Sequence, residues 1–187
     1  MRNLGGQLHI RCLDVVSTRE EAIEADLYQK KHLKGLQLEW ASESDNVDEV
    51  LDGLRPHSNL KELTIKQYSG IRSPNWLDSR WLLNLTSIHL SYCKRWEVLP
   101  PLGQLPYLKV LHMEGFDGVT QIGYQLYGDD DIVFHRLEEL TFEFMSKWEE
   151  WLRVDESQRL FPCLRKLSIT SCPKLKRLPV LSMFKNQ

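Results

Sequence analysis

The stretch LTSIHLSYC, residues 85–93, decides the fold. Its apolar residues Leu85, Ile88 and Leu90 follow the spacing Leu-x-x-Leu-x-Leu. Side chains alternate between the two faces of a strand, so Ile88 and Leu90 point to one face while His89 points to the other. Because one short strand cannot bury its apolar face alone, the stretch predicts a unit that stacks on similar units.

The same spacing recurs in both directions along the chain. Six phrases match it in order: Leu33/Leu36/Leu38, Leu60/Leu63/Ile65, Leu85/Ile88/Leu90, Leu108/Leu111/Met113, Leu137/Leu140/Phe142 and Leu164/Leu167/Ile169. A degenerate copy with Leu8 and Ile10 precedes them, and successive phrases begin 23 to 29 residues apart. This period is typical of leucine-rich repeats. It predicts one α/β solenoid domain over residues 1–187: a leucine-rich-repeat horseshoe with a parallel concave β-sheet of at least six strands and an irregular or short-helical convex side.

The ninth position of each phrase is expected to turn back into the core. It is occupied by Ala41, Tyr68, Cys93, Phe116, Met145 and Cys172. Five of these residues are plainly apolar, which fits an inward slot. The four cysteines form no Cys-x-x-Cys pair and no zinc-like cluster, so reduced, mostly buried thiols are expected. Reduced thiols favour the cytoplasm, with the nucleus as a second compartment.

The segments between the phrases differ from one repeat to the next. Ser17 followed by Glu20 predicts a capping box that opens a helical stretch reaching Lys31. Asn46 predicts a second helix start. Residues 99–106 contain too many prolines for a helix and should run extended or in turns.

Composition excludes several classes of protein. Hydrophobic residues make up 42% and charged residues 27% of the 187 residues, which argues against disorder. No apolar run approaches the roughly 20 residues needed to span a bilayer, and no secretory signal is visible at the start of the chain. The net charge of −2 excludes the broad basic footprint of a nucleic-acid-binding protein.

Charge is nevertheless unevenly distributed along the chain. Residues 159–187 carry seven basic and no acidic residues. Two interpretations remain open: a solvated basic face, or a basic end that docks onto an acidic partner. The candidate docking residues in this basic end are Arg165, Lys166, Lys174, Lys176 and Arg177.

Alternation also predicts three outward columns across the sheet. The central column is Gln37, Thr64, His89, His112, Thr141 and Ser168, and the second column is Glu39, Lys66, Ser91, Glu114, Glu143 and Thr170. The exit column, where each strand ends, is Trp40, Gln67, Tyr92, Gly115, Phe144 and Ser171. Aromatic anchors beside polar groups suit a protein partner. The candidate binding residues on this surface are Trp40, Lys66, His89, Tyr92, His112, Glu114, Glu143 and Phe144. The aromatics could equally pack against loops of their own repeat.

Catalytic and metal chemistry find little support in the pattern. His89 and His112 should be lateral neighbours with Glu114 close by, but a flat ladder fixes no tetrahedral geometry, so no metal is expected. Nothing encloses a nucleophile beside a base. Trp148 and Trp151 are expected to cover the core while Glu149 and Glu150 face water. No cofactor is expected, and an enzyme is the least favoured reading.

Several phrases go beyond a generic repeat. They are residues 21–27 with 31–40, residues 54–63, Tyr68-Ser69-Gly70 leading to Pro74-Asn75-Trp76-Leu77, residues 99–106, Ile122-Gly123 with Leu126-Tyr127-Gly128, residues 148–151, and Cys172-Pro173-Lys174-Leu175 with Leu178-Pro179. Together they resemble the repeat region of plant coiled-coil-type nucleotide-binding leucine-rich-repeat (NB-LRR) disease-resistance receptors. The resemblance spans nearly the whole chain.

The resemblance implies a non-catalytic interaction module, a fragment of a larger receptor. In that family the repeats restrain the nucleotide-binding switch domain and help to sense a pathogen or pest effector, directly or through a guarded host protein. No Gly-x-x-x-x-Gly-Lys-Ser/Thr phosphate loop occurs in the sequence, so the nucleotide chemistry is not expected here. Neither nucleic acid nor membrane is an expected partner, whereas self-association through exposed terminal repeats is possible. The alternatives are a substrate-recruiting repeat subunit of a ubiquitin ligase and an extracellular receptor ectodomain.

Overall fold

The strands repeat with the period of the sequence phrases. The computed structural model describes residues 5–77, 81–128, 132–152 and 159–179. Within them the strands are β1 Gly6–Ile10, β2 Leu33–Glu39, β3 Glu62–Lys66, β4 Ser87–Ser91, β5 Val110–Glu114, β6 Gln121–Ile122, β7 Ile132–Val133, β8 Glu139–Glu143, β9 Glu150–Trp151, β10 Arg159–Leu160 and β11 Lys166–Thr170. Seven of them form one parallel sheet in the order β1-β2-β3-β4-β5-β8-β11. The predicted parallel sheet of at least six strands is confirmed.

The register of this main sheet aligns the repeats residue for residue. The buried row across it is Leu8, Leu36, Leu63, Ile88, Leu111, Leu140 and Leu167. Its central members, from Leu36 to Leu140, are at most 2% exposed, whereas Leu8 and Leu167 at the two ends are only partly buried. A parallel sheet with apolar side chains on one face therefore spans the whole series of phrases, as the alternation predicts.

Short elements return the chain on the other side of the core. The helices are α1 Arg19–Glu24, α2 Val47–Gly53 and α3 Tyr124–Tyr127, with 3-10 helices at Leu13–Val15, Leu27–Gln29 and Leu102–Gln104. Two small parallel sheets pair β6 with β9 and β7 with β10. The 3-10 turn within residues 99–106 agrees with the predicted absence of an α-helix there.

The first helix differs from its predicted limits. Thr18, not Ser17, is the cap: its Oγ1 accepts from the N–H of Glu21 at 3.2 Å, and the Glu21 carboxylate accepts from the N–H of Ser17 at 2.8 Å. The helix also ends at Glu24 rather than near Lys31, because Asp26 adopts left-handed backbone angles. The second helix does begin after Asn46, although the Asn46 side chain makes no capping hydrogen bond.

Trp40 is buried, which corrects its predicted place in the exit column. Its side chain is 0% exposed, while Ala41, the predicted inward residue, is exposed. The Trp40 ring packs edge-on against Tyr68 with centroids 5.3 Å apart, so it fills the slot that Tyr68 fills in the next repeat. The reason is local: the other exit residues adopt left-handed angles before the chain turns inward, whereas Trp40 does not.

Aromatic residues form much of the core behind the strands. Trp40, Tyr68, Trp96 and Phe116 follow one another through the first repeats with ring centroids 5.3 to 6.0 Å apart. Trp148 and Trp151 are buried, while Glu149 and Glu150 keep partial exposure, which confirms the predicted arrangement. Large rings compensate for the short, irregular return segments because each one buries much apolar area.

The cysteines are all free thiols, but only some are buried. Cys93 lies in the core, where burial raises the pKa of its thiol to about 12. Cys172 is partly buried and its pKa is also raised by burial. Cys12 and Cys163 are exposed, so the expectation of mostly buried thiols is wrong for these two, which lie outside the inward slots. A thiol that stays protonated at neutral pH is a poor nucleophile, which supports a packing role for Cys93.

Candidate protein-binding surface

The outward face of the main sheet brings the predicted columns together. The pairings Gln37–Thr64, Thr64–His89, His89–His112, His112–Thr141 and Thr141–Ser168 reproduce the central column, and the second column aligns in the same way. The central column gains a member from β1, since His9 pairs with Gln37. We call this outward face the sheet face.

A polar trough runs along the sheet face from β1 to β5. Two adjoining depressions, about 220 Å³ and about 380 Å³, share Gln37, Glu62 and Thr64 in their walls. The remaining lining residues of the larger one are Lys66, Ser87, His89, Ser91 and His112. The trough is open and shallow, a shape that suits a protein segment better than an enclosed small molecule.

The two histidines line the end of this trough at β4 and β5. The rings of His89 and His112 stack with centroids 5.7 Å apart, and the His112 Nε2 lies 3.8 Å from a Glu114 carboxylate oxygen. The His89 Nε2 lies 3.0 Å from the Ser87 Oγ. Burial, and then the neighbouring His112, lowers the pKa of His89. The expected juxtaposition is confirmed, and His89 is therefore a neutral hydrogen-bonding group near pH 7.

The first strand supplies polar residues of the sheet face that were not among the candidate binding residues predicted from the sequence. The His9 Nε2 lies 2.8 Å from a Glu39 carboxylate oxygen and 3.0 Å from the Gln37 amide nitrogen. Gln7 donates to Glu62 at 3.0 Å. These contacts join three strands at the start of the trough. The alternation of Leu8 and Ile10 was the available signal, because it places His9 in the central column.

The exit column has an unusual backbone. Gln67, Tyr92, Gly115, Phe144 and Ser171 all have φ between 52° and 70°, in the left-handed region. Tyr92 and Phe144 are 45% and 50% exposed, so they are available to a partner and not packed under loops. A third depression, about 210 Å³, lies beside Tyr92 and is lined also by Gln67, Tyr68, Lys94 and Arg95.

Tyr92 is fixed in place across the neighbouring repeat. A Cβ built on Gly115 would lie 2.7 Å from the Tyr92 Cδ1, so the ring lies directly over that glycine. Interaction with the Glu114 carboxylate raises the pKa of Tyr92. Glycine at position 115 is thus favoured by its left-handed backbone and required by the close approach of the ring.

Most residues of the basic end face acids of the preceding repeat. Arg165 and Lys166 lie 3.6 and 3.3 Å from Glu138 and Glu139. Lys176 lies 2.8 Å from Glu149, and its charge holds the pKa of that carboxyl below the usual value. Arg177 pairs with Glu150 at 3.7 Å. Among the residues that the structure describes, Lys174 makes no ion pair.

Two other kinds of site, a metal cluster and a membrane span, are absent from the described residues. Across the described ranges, no group of three or more histidine, cysteine, aspartate or glutamate side chains could hold a metal ion. No helix within those ranges is long and apolar enough to cross a bilayer. The site chemistry of the described residues is hydrogen bonding, ion pairing and aromatic contact.

Sequence comparisons give relatives for this repeat series. The family model for R13L1/DRL21 leucine-rich repeats matches residues 1–116. A putative disease resistance RPP13-like protein 1 of Arabidopsis thaliana is 36% identical over 94% of this chain and 18% of its own length. The putative disease resistance protein RGA1 of Solanum bulbocastanum is 34% identical over 98% of this chain and 18% of its own length. The chain thus spans less than a fifth of these curated relatives. No solved structure matches it significantly.

Proposed function

We propose a function from one premise: the chain belongs to the R13L1/DRL21 family of leucine-rich repeats. It acts as a non-catalytic protein-interaction module of a plant intracellular immune receptor, in the cytoplasm or the nucleus. In that receptor it senses a pathogen or pest effector, or a host protein that the effector alters. It also restrains the nucleotide-binding switch domain. The similarity to disease resistance proteins over more than nine-tenths of the chain supports the receptor context.

The observation that carries the proposal is the sheet face itself. Seven parallel strands present polar side chains that do not contribute to the core, and those of β1 to β5 line an open trough. Exposed Tyr92 and Phe144 follow β4 and β8 directly, where these strands end. Residues that the core does not need are free to be selected for contact with another protein.

The first experiment tests the sheet face in the full receptor that carries this chain. Lys66→Glu and His89→Ala alter the trough without touching a buried apolar residue. Lys34→Glu is the matched control, because it makes the same charge change at an exposed residue that does not line the trough. Effector-triggered cell death in leaf should be lost in the trough variants and kept in the control. Equal responses from all three variants would contradict the proposal.

The second experiment tests the basic end as the contact with the switch domain. Reversing Lys174, Lys176 and Arg177 to glutamate should reduce co-precipitation of separately expressed repeat and switch domains and make the receptor signal without its trigger. These changes also break pairs with Glu149 and Glu150. A control therefore adds Glu149→Lys and Glu150→Lys, which restores the pairs inside the repeats with reversed polarity.

The control separates two causes of the same phenotype. If the restored pairs return the receptor to silence, the basic end acts only in stacking its repeats. If the receptor remains self-active, its outward positive charge contacts the switch domain. Unchanged association together with a silent receptor in the triple variant would remove the basic end from the mechanism.

A further inference from the structure

Two exposed aromatic residues occupy backbone positions that disfavour them. Tyr92 and Phe144 have φ of 57° and 52°, a region where a side chain crowds its own backbone. Half-exposed rings recover little of this cost through burial. Gly115 occupies the same position in the repeat between them without strain. Unfavourable residues that persist on a surface point to a role in contact rather than in folding.

The geometry between the two rings forms a place for a side chain. Tyr92 and Phe144 are separated by two steps of the sheet, roughly 10 Å at about 4.8 Å a step. Gly115 lies between them and carries no side chain, so the Tyr92 ring lies flat over it. The result is a flat apolar seat formed by the ring. An aliphatic or aromatic side chain of a partner fits such a seat.

Positive charge lies just beyond this seat. Lys94 and Arg95 follow the third inward residue, Cys93, and Lys147 follows Met145 two repeats later. All three are exposed, and none makes an ion pair with a described residue. Nearby acids are partly engaged: Asp117 accepts from the Ser146 hydroxyl. Glu43 lines the depression that contains Lys94 and Arg95.

We propose that this exit edge, the surface from Tyr92 to Phe144 with Lys94, Arg95 and Lys147, docks an acidic segment of a partner protein. An apolar side chain of the segment packs on the Tyr92 ring that covers Gly115, and flanking carboxylates face the three cations. The proposal rests on the proposed function as a protein-binding module and names the chemistry of its partner. Charge complementarity favours an acidic occupant, since these cations lack partners within the described chain.

A nucleic acid fits this surface less well. The second column places Glu39, Glu114 and Glu143 beside the exit column, and they would repel a continuous phosphate backbone. The whole chain carries a net charge of −2. A short acidic peptide can instead lie outside the glutamates, along the cations.

The probe for this surface is a phage-displayed library of random peptides selected on the full chain. We expect enriched peptides with one aliphatic or aromatic residue flanked by aspartate and glutamate. A synthetic peptide of the enriched sequence should then bind, by fluorescence anisotropy, at least about tenfold more weakly to Tyr92→Asn/Phe144→Asn and to Lys94→Glu/Arg95→Glu. Binding should also weaken as salt is raised.

Matched controls separate docking from folding. Asparagine tolerates left-handed backbone, so the aromatic double variant should melt no lower than the parent chain. Tyr107→Asn removes a ring of similar exposure, 44%, from another surface, and Lys34→Glu/Lys61→Glu makes the same charge change at the starts of β2 and β3. Both controls should bind the peptide as the parent does.

Three outcomes would overturn the proposal. The first is enrichment of peptides without negative charge, or no enrichment beyond that on a chain carrying all four exit-edge changes. The second is binding lost with Lys66→Glu and His89→Ala but kept in the exit-edge variants, which leaves the proposed function standing. The third is self-association in sedimentation that Tyr92→Asn/Phe144→Asn abolishes, which would make a second copy the occupant.

Discussion

At the starts of β5, β8 and β11, which we call the start edge, cations lie against carboxylates of the neighbouring repeat. At the exit edge, Lys94, Arg95 and Lys147 lack such partners among the described residues. At the start edge Lys109 lies 3.0 Å and Arg165 3.6 Å from Glu138. At the exit edge the charges stand beside exposed rings instead. Both edges are set by one strand register, yet these start-edge cations pair with carboxylates of the chain and the three exit-edge cations do not.

This difference indicates that the two edges of the solenoid have different roles. Ion pairs between adjacent repeats fix the stacking of those repeats and leave little net charge for a partner. Unpaired cations with strained aromatics contribute little to stacking and are available for contact. Substitutions at the two edges should therefore have different effects on the free energy of unfolding.

The largest effect should come from the core that carries both edges. Leu111 is 0% exposed, and Leu111→Ala should lower the free energy of unfolding by about 2–5 kcal/mol, because neighbours on adjacent strands cannot refill the space. His112→Ala, on the opposite face of the same strand, should change it by no more than about 0.5 kcal/mol. Urea denaturation of both variants measures this, and comparable losses would mean that the faces are wrongly assigned.

A smaller loss in the free energy of unfolding is expected at Tyr68, whose hydroxyl connects its repeat to helix α2. The buried Tyr68 hydroxyl donates to the Asp48 carboxylate of α2 and lies 3.0 Å from the Arg72 carbonyl oxygen. Tyr68→Phe leaves both acceptors without this donor and should cost about 1–3 kcal/mol in urea denaturation. Tyr107→Phe, at an exposed site, is the control. Equal stability of the two variants would show that the hydrogen bonds of the Tyr68 hydroxyl do not stabilise the fold.

Substitutions in neighbouring repeats of the exit column should change the free energy of unfolding in opposite directions. Phe144→Gly removes the left-handed strain and should raise the free energy of unfolding by about 0.5–1 kcal/mol, after the greater chain entropy of glycine is subtracted. Gly115→Ala adds strain and a contact at 2.7 Å with Tyr92, and should lower it by about 1–2 kcal/mol. Thermal melts of the two variants decide the matter. A loss in Phe144→Gly would mean that the ring stabilises the fold and is not reserved for contact.

The smallest change in stability is expected at the ion pairs of the start edge, and it should depend on pH. Lys109, and more weakly Arg165, hold the pKa of Glu138 below its usual value. A depressed folded-state pKa adds stability above the ordinary glutamate pKa, and this stability is lost as pH falls through the folded value. Glu138→Gln should therefore melt slightly lower than the parent near neutral pH and converge with it in acid. A constant difference across the pH series would contradict the pairing.

Much of the surface was predictable because its residues lie in register. Alternation placed His89 beside His112 and Thr64 beside Gln37 without knowledge of any contact. The error at Trp40 came from counting: the ninth position was assumed constant, whereas the chain turns inward one residue early in that repeat. A large ring beside a small Ala41 was the available hint, since Tyr68 and Phe116 fill the same slot elsewhere.

The sequence by itself determined the repeat, the strands, the faces of their side chains and the family to which the chain is similar. These follow from local spacing, because a period of two within each phrase and a near-constant period between phrases leave one way to stack. Tertiary structure alone decided which charges pair, where helices stop and which rings stay exposed. Those outcomes depend on atoms some 23 to 30 positions apart in sequence, such as Lys176 and Glu149 or Tyr92 and Gly115. Only the stacked repeats bring such atoms within contact distance.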